Sequence, residues 1–210
     1  MNAGGWVIAA GVALFSLVAP VAGQDAAPKA QPAATGAQPE VKPDGKKEYS
    51  IETLGGGPGP AHQRLAKLVG EWETASRFTM PGRDAVESKG QSKFTLVLGG
   101  RFLSEDDRGT MNGAEFSSMK LWGFNTASQK YESVWTHTGA TSMMTMTGAS
   151  QDEGKTIVYD ASYEGASGRR EQMAITMKIA DDDHFSVTVV AKVPGDEPAP
   201  TFETSYSRKK

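Results

Sequence analysis

The alternation of apolar and polar residues after Gly70 is the feature of this sequence that most restricts its fold. A period of two is the pattern of β-strands with one buried face. Pro81 is the only proline between residues 61 and 193, although the 210-residue chain contains 11, and long hydrogen-bonded strands exclude proline. The alternation predicts ten strands, at residues 71–79, 87–98, 101–109, 114–124, 130–137, 142–149, 156–163, 171–180, 184–193 and 201–208.

The predicted strands are joined by short turns, such as Pro81-Gly82 and Gly99-Gly100, which are typical of hairpins. No turn has room for a crossover helix, so neighbouring strands should pair antiparallel and α/β folds are excluded. A ribbon of ten strands has two unpaired edges unless it closes. We therefore expect an all-β, antiparallel up-and-down barrel, with a two-sheet sandwich as the alternative. A helix is predicted at residues 61–69, where apolar residues recur at helical spacing.

Two segments of different composition precede the predicted barrel. Residues 1–23 contain an apolar run followed by small residues, which predicts a secretory signal peptide cleaved after Gly23. The alternative is a retained membrane anchor, although the run at residues 6–21 is shorter than the roughly 20 residues that span a bilayer. Residues 24–58 form an Ala- and Pro-rich linker that we expect to be disordered. Residues 59–210 are then predicted to form the barrel domain. After cleavage we expect a periplasmic or secreted protein without stable membrane insertion.

Composition excludes several classes of site and partner. A net charge of -3 and an isoelectric point near 5.7 lack the basic footprint of a nucleic-acid-binding protein. The absence of cysteine excludes disulfides, thiolate metal sites and a cysteine nucleophile. No sequence motif of a catalytic elbow or a metal site is present. We therefore predict no catalytic residue, no metal and no cofactor, and we leave the oligomeric state open.

The alternation also predicts which side chains face the barrel interior. Several of these are polar or aromatic, and buried polar groups require hydrogen-bond partners. Water or a ligand inside a cavity would supply those partners. The candidate ligand-binding residues are Trp72, Thr74, Ser76, Ser133, Trp135, His137, Tyr159, Tyr163 and Tyr206.

The sequence Gly70-Glu71-Trp72, after a short helix and at the start of the first strand, resembles the Gly-x-Trp signature of lipocalins and other calycins. In that group the Trp closes one end of the barrel, and a basic residue of the last strand lies over its ring. The resemblance therefore implies structural roles for Gly70, Trp72 and Arg208, with a cation–π contact worth about 0.5–2 kcal/mol.

A second resemblance rests on motifs spread over the predicted barrel domain, at residues 59–65, 69–72, 97–103, 121–125, 131–135 and 206–209. Through these motifs residues 59–210 resemble a bacterial family known as domain of unknown function 1579. The resemblance implies a mainly β, lipocalin-like domain with no established activity. Haem-binding calycins similar to nitrobindin have an axial histidine near the chain end, and the last strand here has none, so we expect no haem.

His137 and a cluster of methionines are candidates for chemistry inside the barrel. A general base needs a carboxylate or hydroxyl within about 3 Å, and Ser133 lies four residues back, on the same strand face as His137. We favour a core histidine at the barrel mouth, the only one of the three histidines expected to point inward. Met143, Met144 and Met146 could bind copper(I). Because they alternate between two faces, we interpret them as packing residues.

Charged residues around the third and ninth strands are also candidates. Arg101 and Glu105 share one face of the third strand, where a buried pair could anchor a polar ligand, but we favour an outward charged edge. Asp181, Asp182 and Asp183 lack the ligand spacing of a calcium loop, so a solvated turn is expected.

These features favour an exported protein that binds a small amphipathic or hydrophobic molecule inside a barrel. One alternative is an envelope structural or interaction module with a filled core. The other is an enzyme that acts at the barrel mouth through His137. The size of the interior cavity and the partners of His137 distinguish the three functions.

Overall fold

The structure is a computed structural model that describes residues 57–111, 113–165, 168–193 and 198–210. The predicted signal peptide, at residues 1–23, lies outside the described residues, as do residues 24–56 of the predicted linker. The boundaries of these segments therefore stay predictions. No helix among the described residues is long and apolar enough to cross a membrane.

One short helix precedes ten strands, as the sequence predicts. The helix ends earlier than expected, because Lys67 already forms its C-cap. Gly82, Gly99 and Gly100 have positive φ angles of 74°, 67° and 78°, which fits their predicted positions in turns. The elements are α1 (Pro60–Ala66), β1 (Gly70–Thr79), β2 (Val86–Val97), β3 (Phe102–Met111), β4 (Ala114–Asn125), β5 (Lys130–His137), β6 (Met144–Ala149), β7 (Thr156–Glu164), β8 (Arg170–Ile179), β9 (His184–Ala191) and β10 (Thr201–Arg208).

The ten strands form a closed antiparallel barrel in which each strand pairs with its neighbours in sequence. Closure is made by β1 and β10, whose register places Trp72 opposite Arg208 and Phe78 opposite Phe202. The prediction of a closed barrel is confirmed, and the sandwich alternative is wrong. The alternation that predicted the strands also describes the burial, since Met173, Ile175 and Met177 face inward along β8.

One end of the barrel is closed by Trp72 and α1. The indole is 0% exposed, and its Nε1 donates to the Leu68 carbonyl at 2.9 Å. The Arg208 guanidinium lies 4.2 Å from the ring centroid and donates to the carbonyls of Lys67 and Val69 at 2.7 and 2.8 Å. Gly70 has a φ of 135°, and a Cβ there would lie 2.8 Å from Arg208. Glycine therefore allows both the backbone conformation and the close approach of the guanidinium.

Candidate functional site

Aromatic side chains fill the closed half of the barrel. The rings of Trp72 and Phe185 meet edge to face at 4.8 Å, and Phe185 stacks on Tyr206 at 4.0 Å. Phe94 completes this layer and is 1% exposed. The solid half of the interior therefore reaches from the closed end to Tyr206.

A buried carboxylate lies directly above this aromatic layer. Glu105, on β3, is 0% exposed. Its Oε1 accepts from Lys120 Nζ at 2.9 Å and from the Tyr206 hydroxyl at 2.9 Å, while its Oε2 accepts from Trp122 Nε1 at 2.7 Å. These donors come from β4 and β10, so the carboxylate links β3 and β4 to β10 through the barrel interior.

A second carboxylate shares the same ammonium. Lys120 Nζ donates to Asp107 Oδ2 at 2.7 Å, and the Ser118 hydroxyl donates to that oxygen at the same distance. The ammonium also lies 5.5 Å from the centroid of the Trp135 ring. We call Glu105, Asp107 and Lys120 the ion cluster. It has two carboxylates for one ammonium.

Burial and charge act in opposite directions on the ion cluster. Burial raises the pKa of Glu105 to about 7, even though Lys120 and the hydrogen bonds of the carboxylate oppose the rise. Burial also disfavours the charged form of Asp107, but Lys120 holds the pKa of that carboxyl below its usual range. The two carboxylates likewise hold the pKa of Lys120 above its usual range, against the effect of burial. At neutral pH Asp107 and Lys120 are charged, and Glu105 is close to its titration point.

A cavity of about 80 Å³ lies between the ion cluster and the open end of the barrel. Ser76 and Thr204 form a hydroxyl pair at 2.9 Å in its wall. One side is polar, lined by Thr74, Ser76, Ser88, Asp107, Ser118, Lys120 and Thr204. The other side is apolar, lined by Met146, Ile175, Val187, Val189 and Phe202.

A wider open groove of about 890 Å³ lies along β2–β5 near the mouth. Exposed residues of the outer strand faces, such as Gln91, Asp106 and Met119, form much of its lining, although Asp107, Phe116 and Ser118 border both spaces and His137 borders the groove. The aromatic layer blocks the closed end, so the mouth is the approach to the cavity.

The structure brings together four of the nine predicted ligand-binding residues. Thr74, Ser76, Trp135 and Tyr206 line the cavity. Trp72 lies below it, in the aromatic layer. The remaining four are described next.

Ser133 and Tyr159 face the interior without lining the cavity. They are 5% and 1% exposed. Their hydroxyl oxygens have no hydrogen-bond partner in the described part of the chain, and neither has Trp135 Nε1. Tyr163 is nearer the rim, where its hydroxyl donates to Glu171 Oε2 at 3.0 Å.

His137 lies at the mouth and bonds to the backbone. Its Nδ1 accepts from the Gly139 amide at 3.1 Å, and its ring contacts Phe116 and Trp135. Burial, and then the charge of Lys120, lower the pKa of this imidazole. The expectation that it is the only inward histidine is wrong, because His62 is 7% exposed and accepts from the Gly59 amide through Nδ1.

The preferred prediction of an outward charged edge on the third strand is wrong. Glu105 and Asp107 face inward, and the cation that pairs with Glu105 is Lys120 rather than Arg101. Lys120 lies directly opposite Glu105 in the register of β3 and β4. Sequence reasoning missed Lys120, although the alternation of β4 places it on the same face as Trp122.

The methionines reach the cavity wall through Met146, whereas the aspartates at residues 181–183 lie away from it. Met144 and Met146 are buried while Met143 is 65% exposed, so the three methionines point to different faces as predicted. Asp181 accepts hydrogen bonds from the Asp183 amide and contacts the His184 ring, within an exposed turn. In the described ranges no group of three or more His, Asp or Glu side chains could hold a metal ion.

Solved structures with a similar fold include Rv2717c from M. tuberculosis, at 18% identity and a TM-score of 0.56. That match covers 73% of this chain and 100% of the other. The S-type phycobiliprotein lyase CPES from Guillardia theta is 11% identical with a TM-score of 0.51, and the match covers 70% of this chain and 92% of the lyase. These likenesses concern the fold. No curated protein matches the sequence.

The family described as "Protein of unknown function (DUF1579)" matches residues 57–208. The match includes α1, all ten strands and the complete ion cluster. It agrees with the resemblance noted in the sequence. This chain belongs to the DUF1579 family.

Proposed function

We propose that this protein is exported, to the periplasm or beyond the cell, and that it binds a small amphipathic molecule in the open half of its barrel. The observation that carries this proposal is the two-sided cavity between the ion cluster and the mouth. Ligand sites combine mostly apolar walls with a few polar groups that fix orientation. Here Val187 and Ile175 belong to the apolar wall, and Ser76 and Thr204 supply polar groups.

The size of the cavity restricts what enters it. A volume of about 80 Å³ holds several waters, whereas pockets for drug-sized ligands occupy roughly 300–1,000 Å³. A ligand would therefore place one narrow end in the cavity. The rest of the molecule would lie at the mouth of the barrel.

The two alternative functions receive less support. A filled-core module fits the aromatic layer of the closed half, but a cavity beside buried charged groups is unfavourable for a purely structural core. An enzyme acting through His137 would need that ring to contact a carboxylate or hydroxyl. The hydrogen bond of His137 with Gly139 does not supply one.

Export rests on the sequence of residues 1–23. Amino-terminal sequencing of the protein recovered from its host tests it. We expect the mature chain to begin at Gln24. Recovery of the full chain from the membrane fraction would favour the retained anchor.

Native mass spectrometry of protein purified gently from its host tests ligand binding. We expect a co-purifying mass, and titration calorimetry with n-hexanol as a neutral amphipathic probe should give saturable binding. Bare polypeptide together with no heat of hexanol binding would overturn the proposal.

A pair of valine substitutions locates the site. Val187→Phe adds bulk to the apolar wall of the cavity, and we expect it to weaken hexanol binding about tenfold or more because it fills the space. Val158→Phe is the matched control, since Val158 is 51% exposed on the outer face of β7. Equal affinities in the two variants would place the probe outside the cavity.

A further inference from the structure

We infer that the ligand end that enters the cavity carries a positive charge, as a primary ammonium does, which binds at Asp107, and that the cavity excludes carboxylates. This inference rests on the proposed function and names the chemical class of its ligand. It follows from the net charge of the ion cluster, from the hydrogen bonds that Lys120 already makes, and from the position of Asp107 in the cavity wall.

The charge of the site is unbalanced. Glu105 and Asp107 place two carboxylates beside the cavity, and among the described residues Lys120 supplies the one ammonium that contacts them. Lys89 and Arg108 also border the cavity, but both are exposed residues of the outer strand faces. A second cation inside the barrel would balance charge that is already removed from water in the folded protein.

Lys120 is fully engaged by its neighbours. Its ammonium bonds to Glu105 at 2.9 Å and to Asp107 at 2.7 Å, and it faces the Trp135 ring. A ligand carboxylate would have to displace one of these partners, and it would then lie beside two negative groups. The site therefore disfavours anions.

Asp107 is the most exposed member of the ion cluster. Its side chain is 18% exposed, compared with 11% for Lys120 and 1% for Glu105. It lines the cavity and lies nearer than Glu105 to the mouth along β3, so a group entering from the mouth meets it before Glu105. A hydrogen bond between charged partners is about twice as strong as one between neutral partners.

A second observation points to a ligand at this place. Trp135 lines the cavity, and its buried Nε1 has no hydrogen-bond partner within the described ranges. Buried polar groups in proteins are nearly always satisfied. An oxygen in the bound molecule, or a water that accompanies it, would complete the hydrogen bonding of this indole.

The same geometry links cation binding to a proton on Glu105. The groups that face this carboxyl are Lys120 and Trp122 from β4, Asp107 from β3, Tyr206 from β10 and Ser92 from β2. Loss of the proton near pH 7 makes the cluster more negative, while Asp107 stays ionised and Lys120 stays charged.

Titration of His137 does not contribute to binding changes at pH 7 and above. Its pKa is lowered from 6.5, so the imidazole is neutral at pH 7 and above. Ammonium binding should therefore strengthen as the pH rises through 7, and binding of a neutral probe should change little.

Titration calorimetry of the full chain with n-hexylamine, n-hexanol and n-hexanoate at pH 8 tests the inference. These probes share one chain length and differ in the charge of the head. We expect the amine to bind about tenfold or more tightly than the alcohol, and hexanoate to bind most weakly. Alcohol and amine of equal affinity would overturn this inference and leave the proposed function standing. No binding by any probe would overturn both.

Asp107→Asn identifies the residue responsible. We expect this variant to lose the preference for amine over alcohol, whereas Asp84→Asn, in the exposed turn between β1 and β2, should keep it. A preference retained in the Asp107 variant would overturn the assignment.

A second measurement uses the unaltered protein and therefore does not depend on whether a variant folds. In the unaltered protein, hexylamine affinity should rise about twofold between pH 7 and pH 9, as Glu105 loses its proton, and hexanol affinity should stay level. Two level curves would overturn the inference.

Discussion

The two ends of the barrel differ in how completely their interior is filled. At the closed end the Trp72 indole and the Arg208 guanidinium bond to backbone carbonyls, and aromatic rings fill the space. At the open end Trp135 Nε1 has no partner in the described region, and a cavity separates Asp107 from the apolar wall. The same strands supply both ends. The difference indicates that stability resides mainly at the closed end and binding at the open end.

Trp72→Ala should have the largest effect on stability. It removes a fully buried indole from the aromatic layer, and we expect a loss of about 4 kcal/mol in the free energy of unfolding. Phe116→Ala, at the half-buried mouth, should cost only about 1 kcal/mol. Urea unfolding of both variants measures the difference. Equal losses would break the contrast between the two ends.

Lys120→Met tests the ion cluster, which lies between the ends. The substitution leaves two buried carboxylates without their cation, and we expect a loss of about 3 kcal/mol. Lys93→Met, on the exposed face of β2, is the matched control and should change stability by less than about 0.5 kcal/mol. A Lys120 variant as stable as the control would show that the cluster carries no net electrostatic role.

Arg208→Ala sharpens the description of the closed end. The variant loses the contact with Trp72 and the bonds to Lys67 and Val69, at a cost of about 1–2 kcal/mol. Arg208→Lys keeps the charge but loses the planar guanidinium, so its stability should lie between those of the parent protein and Arg208→Ala. Thermal unfolding checks the order. If Arg208→Lys is no more stable than Arg208→Ala, the effect belongs to the hydrogen bonds of the guanidinium alone.

Glu105→Gln should show its effect as a change of stability with pH. The pKa of Glu105 is raised from 4.5 to about 7, so the folded state holds this proton more tightly than the unfolded chain does. Its stabilising contribution is full below pH 4.5 and is lost as the pH rises through 7. The stability of the variant relative to the parent protein should therefore increase between pH 5 and pH 8.

Histidines act in the opposite direction on the parent protein. Burial lowers the pKa values of His62 and His137, so their contributions to stability grow as the pH rises towards 6.5. Both are present in the variant and cancel in the comparison. Urea unfolding at each pH, with Glu73→Gln on the exposed face of β1 as the control, measures the effect of Glu105. A constant difference between variant and parent would contradict the assigned pKa.

The barrel could be predicted because its signals are local. Alternation defined the strands, short turns required antiparallel neighbours, and closure followed from the need to pair β1 with β10. The ion cluster could not be predicted in the same way. Its pairing depends on the register that places Glu105 opposite Lys120, and a one-residue shift would turn every side chain to the other face.

The charged residues of the third strand led to the wrong prediction of an outward edge. Four charged residues, at positions 105–108, indicated an outward edge, because buried charges are rare unless they are paired. Lys120, which pairs with Glu105 and Asp107, lies 15 and 13 residues away from them on β4. Tyr206 lies 101 residues from Glu105, so no local pattern could connect them.

The indole resonances in a ¹⁵N–¹H NMR spectrum test the difference between the ends most directly. Trp72, Trp122 and Trp135 report on the closed end, the ion cluster and the cavity wall. On addition of n-hexanol we expect the Trp135 resonance to shift and saturate, while the Trp72 resonance stays in place. A saturable shift of Trp72 that leaves Trp135 unchanged, or no shift of any indole, would contradict a binding site in the open half of the barrel.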